Sequence, residues 1–238
     1  MSALEQIPVV ILAGGLATRL RPVTERIPKA LVPVAGEPFL AHQLRLLRSH
    51  GFRSVVLCIG HLGEMIEEAF GDGSSWGMRI QYSYDGPVLL RTGGALVKAL
   101  PMAGPTWFLL YGDSYLRIDY AAVYETYRAG GKPALMTVLE NRNAWDRSNV
   151  LFEGGQILRY DKHAPTPGMH HIDYGLSIFD SSVFAGRKLE PFDLSDVQTD
   201  LVTRGEMTGY LATERFFEIG SPAGLQELEA FLNPTLSR

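Results

Sequence analysis

The chain has 238 residues, 46 % hydrophobic and 20 % charged, which is the composition of an ordinary folded domain with a sizeable core. Its formal net charge of −4 offers no basic footprint for nucleic acid or an anionic membrane surface. A single cysteine, Cys58, excludes an internal disulfide framework and fits a reducing cytoplasm, and no signal pattern or run near the roughly 20 apolar residues of a membrane span is evident.

In chain order, Pro8 to Leu12 is an apolar run that reads as a strand and ends at Gly14-Gly15. Glu37-Pro38 opens a helix with Phe39, Leu40, Leu44 and Leu47 on one face, closed by Gly51. Val55 to Ile59 is a second buried strand carrying Cys58 as a packed thiol, followed by a helix from about Leu62 to Phe70. Arg79 to Tyr84 alternates like a strand, and Gly93 to Leu100 reads as a short helix stopped by Pro101. Trp107 to Tyr111 is a strand ending at Gly112-Asp113, Asp119 to Ala129 a helix, and Ala134 to Leu139 a strand.

Strands that alternate with helices imply βαβ units and a parallel sheet covered on both faces. The expected fold is therefore α/β, a Rossmann-like mixed but mostly parallel sheet flanked by helices. The second half changes character and adds a small β-rich part. Asn149 to Phe152 and Ile157 to Tyr160 flank Gly154-Gly155 as a hairpin, Ile172 to Phe179 is a strand, and Asp196 to Arg204 and Pro222 to Leu232 are helices. No repeat or flexible linker divides residues 1–238, which read as one domain with a core of about residues 1–140 and a second part of about 141–238.

Ligands of such sheets bind outside the carboxyl ends of strands, where Gly14-Gly15 and Gly112-Asp113 both fall. Glycines let backbone amides face an anion, and Arg19 and Lys29, ten positions apart, supply cations for phosphates. Gly14 to Thr18 does not fit G-x-G-x-x-G, and no G-x-x-x-x-G-K-[ST] occurs, which speaks against dinucleotide dehydrogenases and P-loop enzymes.

The composite from Leu12 to Pro33, with Gly14-Gly15, Thr18-Arg19-Leu20, Pro22 and Pro28-Lys29, resembles the L-A-G-G-x-G-T-R-L-x-P signature of sugar-1-phosphate nucleotidyltransferases. The departure is Ala17, where that family usually has glycine. The resemblance extends along the chain and implies an NTP and a sugar 1-phosphate as partners and Mg²⁺ as cofactor. It assigns Leu12, Ala13, Gly14, Gly15 and Thr18 to the nucleotide, and Arg19, Lys29 and Asp113 to catalysis. Asp113 and Glu218 would hold the metal, Glu218 standing where the family has aspartate.

The run from Tyr84 to Ala95 resembles the family's base-recognition loop, with Asp85 as the acid that reads the base edge and Thr92 and Gly93 in its core. Arg91 replaces a family glycine and either faces solvent or meets an anion. Asn149, Asp161, Lys162 and Asp173 fall where the family binds the sugar phosphate, Asp161 again being a changed acid. The chain is similar in size to heptose-1-phosphate guanylyltransferases, N-acetylmuramate-1-phosphate uridylyltransferases and phosphocholine cytidylyltransferases. A heptose- or hexose-type acceptor is expected, with a phosphocholine-type acceptor or a catalytically weak nucleotide-sugar sensor as alternatives. A homo-oligomer is compatible with the chain.

Overall fold

The computed structural model describes residues 3–233. Val9–Leu12 (β1) is a Val-Val-Ile-Leu run whose β-branched residues favour extended backbone, and it lies in the interior of the main sheet. Pro33–Val34 (β2) and Glu37–Pro38 (β3) make a two-strand ribbon that leads into helix Phe39–Ser49 (α1). Then come Ser54–Ile59 (β4), Gly63–Phe70 (α2), Arg79–Tyr84 (β5), Arg91–Ala103 (α3) and Thr106–Tyr111 (β6). Ser114–Tyr115 (β7), Tyr120–Gly130 (α4) and Ala134–Glu140 (β8) complete the first part. The second part holds Val150–Glu153 (β9), Gln156–Tyr160 (β10), His171–Asp180 (β11), Leu194–Thr203 (α5), Met207–Ala212 (β12), Phe217–Glu218 (β13) and Pro222–Leu232 (α6).

The nine-stranded sheet runs β5-β4-β1-β6-β11-β8-β12, with the β9–β10 hairpin joined to β11. Its β5-β4-β1-β6 half is parallel throughout. Only β11 reverses direction among the seven strands of the main run, pairing antiparallel with both β6 and β8 while β12 is parallel to β8. Alternation along β1 shows the layering. Val9 and Ile11 join the core that α1, α2 and α4 cover, and Val10 joins the core under α3 and α5. A third small cluster, Val34, Phe39, Phe217, Ile219 and Leu228, seats α6 on β2 and β13.

Several elements differ from the sequence reading: Glu37–Pro38, expected to open α1, forms β3, and the two-residue strands β2, β7 and β13 were not expected. The third helix begins at Arg91 and continues through Pro101 to Ala103. Pro101 falls in the last turn, where one backbone hydrogen bond is lost, while Ala99 and Ala103 on either side are buried against the sheet. Strand β12 was not expected, because Gly209 interrupts its apolar pattern. A Cβ there would lie 2.6 Å from the Phe152 ring, so the glycine marks a close approach inside a strand.

The parallel strands all end on one edge. Gly14 follows β1, Gly60 follows β4, Asp85 follows β5 and Gly112-Asp113 follows β6.

Candidate active site

The loop after β1 starts where Ala13 N donates to Cys58 O at 2.8 Å, the last link to the neighbouring strand. A Cβ on Gly14 would stand 3.0 Å from Gly60 N, so a larger residue would push the loop off the sheet edge. Among the described residues, the amides of Gly14, Gly15, Leu16 and Ala17 donate to no protein acceptor. Four successive free N–H groups at a strand end make a site for an anion. Ala17 turns the chain with φ 46° and ψ 44°, left-handed backbone that alanine rarely adopts. Leu20 N and Thr24 Oγ1 donate to the Ala17 carbonyl at 3.0 and 2.8 Å and hold that turn.

Two cavities open along this edge. One, of about 290 Å³, is lined by the loop backbone from Leu12 to Gly15, and by Lys29, Asp85, Arg91 and Asp113. The other, of about 580 Å³, is lined by Arg19, Asn149, Lys162, Asp173, Glu218 and Arg215 among others. Thr92, Tyr111 and Asp113 border both.

Asp113 owes its position to two supports. Gln43, fully buried on α1, donates to Tyr111 O at 3.2 Å and Ser114 O at 2.8 Å and clamps the turn between them. The two-residue β7–β13 ladder pairs Ser114 with Glu218, and Ile219 N donates to Asp113 O at 2.9 Å. Residues 105 positions apart in sequence therefore bring their carboxylates to one place. Lys29 Nζ meets Asp113 Oδ2 at 2.9 Å. A Cβ built on Gly220 would lie 2.5 Å from Glu218 Oε2, 2.8 Å from Arg19 Nη2 and 3.4 Å from Asp113 Oδ2. Glu218 also accepts from Gly220 N and, at 2.7 Å, from Ser221 Oγ. Arg19 makes no ion pair among the described residues, leaving its charge free to meet a ligand.

At the other end of the first cavity, Asp85 Oδ2 accepts from Leu90 N at 3.1 Å. Burial raises its carboxyl pKa, against the opposing pull of that amide and of Lys98. Arg91, left open from sequence, has φ 58° and pairs with Asp193 at the start of α5. Its neighbour Thr92 accepts from Leu194 N at 2.8 Å. Gly93 is not among the cavity-lining residues. It donates to Phe192 O at 2.8 Å, and a Cβ there would overlap the Phe192 ring. Thr18 also lines neither cavity and instead starts the short turn behind the loop.

In the second cavity Asn149 Oδ1 accepts from Asp173 N at 3.0 Å, and Asp173 accepts from Gly175 N at 3.0 Å and Tyr111 Oη at 3.4 Å. Burial raises the Asp173 pKa, with Gly175 N and Lys162 opposing it. Lys162 makes no hydrogen bond or ion pair among the described residues and is available to a ligand anion. Asp161 stands apart. Its carboxylate caps its own turn, accepting from Ala164 N at 2.7 Å and His163 N at 3.1 Å, and lines neither cavity. The shortened side chain reaches its own backbone instead of the cavity.

Sequence reasoning passed over Gln43, Tyr111, Asp193 and Arg215. Arg215 faces the second cavity, held by Glu227 at 2.5 Å and stacked 4.7 Å from the Phe217 ring centre. Tyr111 could have been found as the last strand residue before Gly112-Asp113. The other three belong to no local pattern and become neighbours of the site only through the tertiary fold.

A sequence profile described as Nucleotidyl transferase matches residues 8–232. The N-acetylmuramate alpha-1-phosphate uridylyltransferase of Neisseria meningitidis serogroup B is 41 % identical over 118 residues, covering 49 % of this chain and 51 % of that protein. The UTP–glucose-1-phosphate uridylyltransferase of Synechocystis is 34 % identical over 194 residues, covering 73 % of this chain and 49 % of that one. The chain thus spans about half the length of the curated relatives it matches. Among solved structures, HddC of Yersinia pseudotuberculosis, complexed with GMP-PN, has the same fold, with a TM-score of 0.80 at 22 % identity over 95 % of this chain and 99 % of that one. With a profile match running nearly end to end, the chain belongs to the nucleotidyl transferase family.

Proposed function

We propose that the chain transfers a nucleotidyl group from an NTP to a sugar 1-phosphate and releases pyrophosphate. The observation that carries this reading is Asp113, shared by two cavities of suitable size for two substrates. The NTP occupies the first cavity with its triphosphate on the free amides of Gly14 to Ala17. The sugar phosphate occupies the second, with its phosphate on Lys162 and its hydroxyls near Asn149 and Asp173. An oxygen of the sugar phosphate attacks the α-phosphorus, and the bond to the departing pyrophosphate breaks. The attacking phosphate monoester is already ionised near neutral pH, so no general base is needed. Lys29 and Arg19 neutralise charge on the α-phosphate and the leaving group. Positioning and electrostatics account for the catalysis.

The residues fit a magnesium ion. Asp113 and Glu218 are hard oxygen donors bordering one small space beside Gly220, and they would be the residues that hold it. When bound there it would supply charge neutralisation between the two phosphates. Asp113 would move from Lys29, and Glu218 from Gly220 N and Ser221 Oγ, to do so.

No described helix is long and apolar enough to cross a membrane. A cytoplasmic enzyme of one domain, with a heptose- or hexose-type acceptor, is the setting we favour. The strained Ala17 and the internally bonded Glu218 favour a second reading, a weak enzyme that senses a nucleotide sugar. Pyrophosphate release, measured over a panel of NTPs and sugar 1-phosphates with Mg²⁺, separates the two. Turnover of one pair supports the transferase, and binding without turnover for every pair supports the sensor.

A further inference from the structure

Trp145, Phe216 and Tyr174 give the second cavity an aromatic wall beside Arg215. Trp145 is 46 % exposed, although an indole gains more than most side chains by burial. A slack loop would let such a ring fold onto the surface, but the turn that carries it is fixed from inside. The Asn141 amide donates to Asp146 O at 2.7 Å and to Ser148 Oγ at 3.0 Å, and its Oδ1 accepts from Trp145 N at 3.2 Å. Ser148 Oγ accepts from Asn143 N at 3.0 Å, and Asn143 Oδ1 accepts from Ser148 N at 2.8 Å. Asn141 and Ser148 are themselves buried.

The ring is also braced from behind. Its centre lies 6.2 Å from that of Phe216, at 64°, and Phe216 lies 5.9 Å from the Tyr174 ring at 84°. Tyr174 is buried in the main core on β11. Arg215 Cζ sits 5.4 Å from the Trp145 ring centre, its guanidinium held by Glu227 and by the Phe216 carbonyl at 3.3 Å. An exposed indole is thus kept in one place at the border of a cavity. A surface ordered in advance has little freedom left to lose when a ligand meets it.

A pyranose carries hydroxyls around its rim and C–H groups on its faces. Lys162, Asn149 and Asp173 offer polar groups to a phosphate and to the rim, and they leave the faces uncovered. Trp145 offers the apolar cover that a C–H face lacks. Aromatic walls also attract quaternary ammonium groups. Here the cation position on these rings is already taken, because Arg215 lies over Trp145 and, at 4.7 Å, over Phe217, and its charge repels a second cation. Of the nearby acids, Glu227 is neutralised by Arg215, and Asp146 accepts from Arg147 N at 2.7 Å within its own turn. Resting on the nucleotidyl-transfer reading, we propose that Trp145 is a specificity-determining residue of the acceptor site, its indole packing on the face of a pyranose whose phosphate is held by Lys162.

The test is steady-state pyrophosphate release by the full chain, with the acceptor varied at saturating NTP and Mg²⁺. The acceptors are the 1-phosphates of glucose, mannose, N-acetylmuramate and a heptose, together with phosphocholine. For the best sugar 1-phosphate, Trp145→Ala should raise its KM about 5- to 30-fold, as expected from uncovering one ring face, and leave the KM of the NTP unchanged. Trp145→Phe should recover most of that loss, since a smaller ring still covers the face. Inorganic phosphate competes for Lys162 but has no ring, so its Ki against the acceptor should not change in Trp145→Ala. A purely structural Trp145 would move both constants together. An acceptor KM unchanged in Trp145→Ala, or phosphocholine turned over faster than every sugar 1-phosphate, overturns the proposal while nucleotidyl transfer stands. No pyrophosphate from any pair overturns both. The wild-type comparison of phosphocholine with the sugars decides the acceptor class even if a variant does not fold.

Discussion

Lys29 Nζ lies 2.9 Å from Asp113 Oδ2, joining two loops 84 residues apart at the boundary of both cavities. The ammonium comes from the short turn Lys29–Leu31, held by Pro28, and the carboxylate from the turn after β6. Each holds the other near the place where the reacting phosphorus would lie. Lys29→Ala and Asp113→Ala should each reduce kcat/KM by about 10²-fold or more, as expected for groups that stabilise developing charge. Because the two act on one centre, the double variant should fall little below the worse single one. Steady-state pyrophosphate release, with circular dichroism to verify the fold, checks this. Additive losses would show that the residues act independently.

Ala17 and Arg91 stand where the motifs this chain resembles have glycine, and both have left-handed backbone, φ 46° and 58°. Left-handed alanine costs about 1–2 kcal/mol. Glycine at this position gives back part of that gain through the greater freedom of the unfolded chain, about 0.5–1 kcal/mol. Ala17→Gly should therefore stabilise by about 0.5–1 kcal/mol, or about 1–4 °C in Tm for a chain of this size. Removing the methyl beside the free amides should also lower KM for the NTP. Calorimetric melting and initial rates measure the two effects, and a lower Tm would show that the loop is unstrained.

These two positions also show how far the sequence is legible. Ala17 stands out because the motif it resembles has a glycine there, the residue that adopts positive φ most freely. The strands and helices of the first half were readable because each buries one face at a regular period, as in β1 and α1. Gly209 hid β12, since its purpose is contact with the Phe152 ring across the sheet. The convergence of Glu218 on Asp113 depends on a ladder of only two residue pairs, β7 with β13, too short to leave a periodic trace. The fate of Asp161 was equally hidden. Whether an acid next to a lysine reaches a cavity or caps its own turn depends on one methylene of side chain and on the turn after Tyr160.

Asp173 carries a different balance. Burial raises its carboxyl above the ordinary 3.8, so over a window beginning near that value the folded protein holds a proton that the unfolded chain has released. The group is least unfavourable to folding at acid pH, and stability is lost as pH rises through the raised value. Asp173→Asn removes the charge while keeping an acceptor for Gly175 N. The variant should be more stable than the wild type at pH 7, by about 0.5–2 kcal/mol, with the difference shrinking toward pH 4. The same change should raise KM for the sugar phosphate, since the half-buried acceptor lines the cavity proposed to hold it. Urea unfolding at several pH values tests the first effect, and a difference that grows toward acid pH would contradict it.

At Gly220 three charged side chains crowd the position a Cβ would take. A methyl group there would stand 2.5 Å from Glu218 Oε2, 2.8 Å from Arg19 Nη2 and 3.4 Å from Asp113 Oδ2. Its own backbone does not require glycine, because Gly220 is not among the residues with positive φ. Gly220→Ala should thus fold normally and displace Glu218 and Arg19 together. Activity should fall by about 10²-fold or more, comparable to losing one charge-stabilising group. The apparent Mg²⁺ requirement should rise in parallel, since the displaced carboxylate is one of the two proposed to hold the ion. Titrating Mg²⁺ against initial rate in wild type and variant tests this. An unchanged half-saturating Mg²⁺ concentration in an otherwise impaired variant would assign Glu218 to holding the turn before α6 and leave Asp113 as the protein's own ligand.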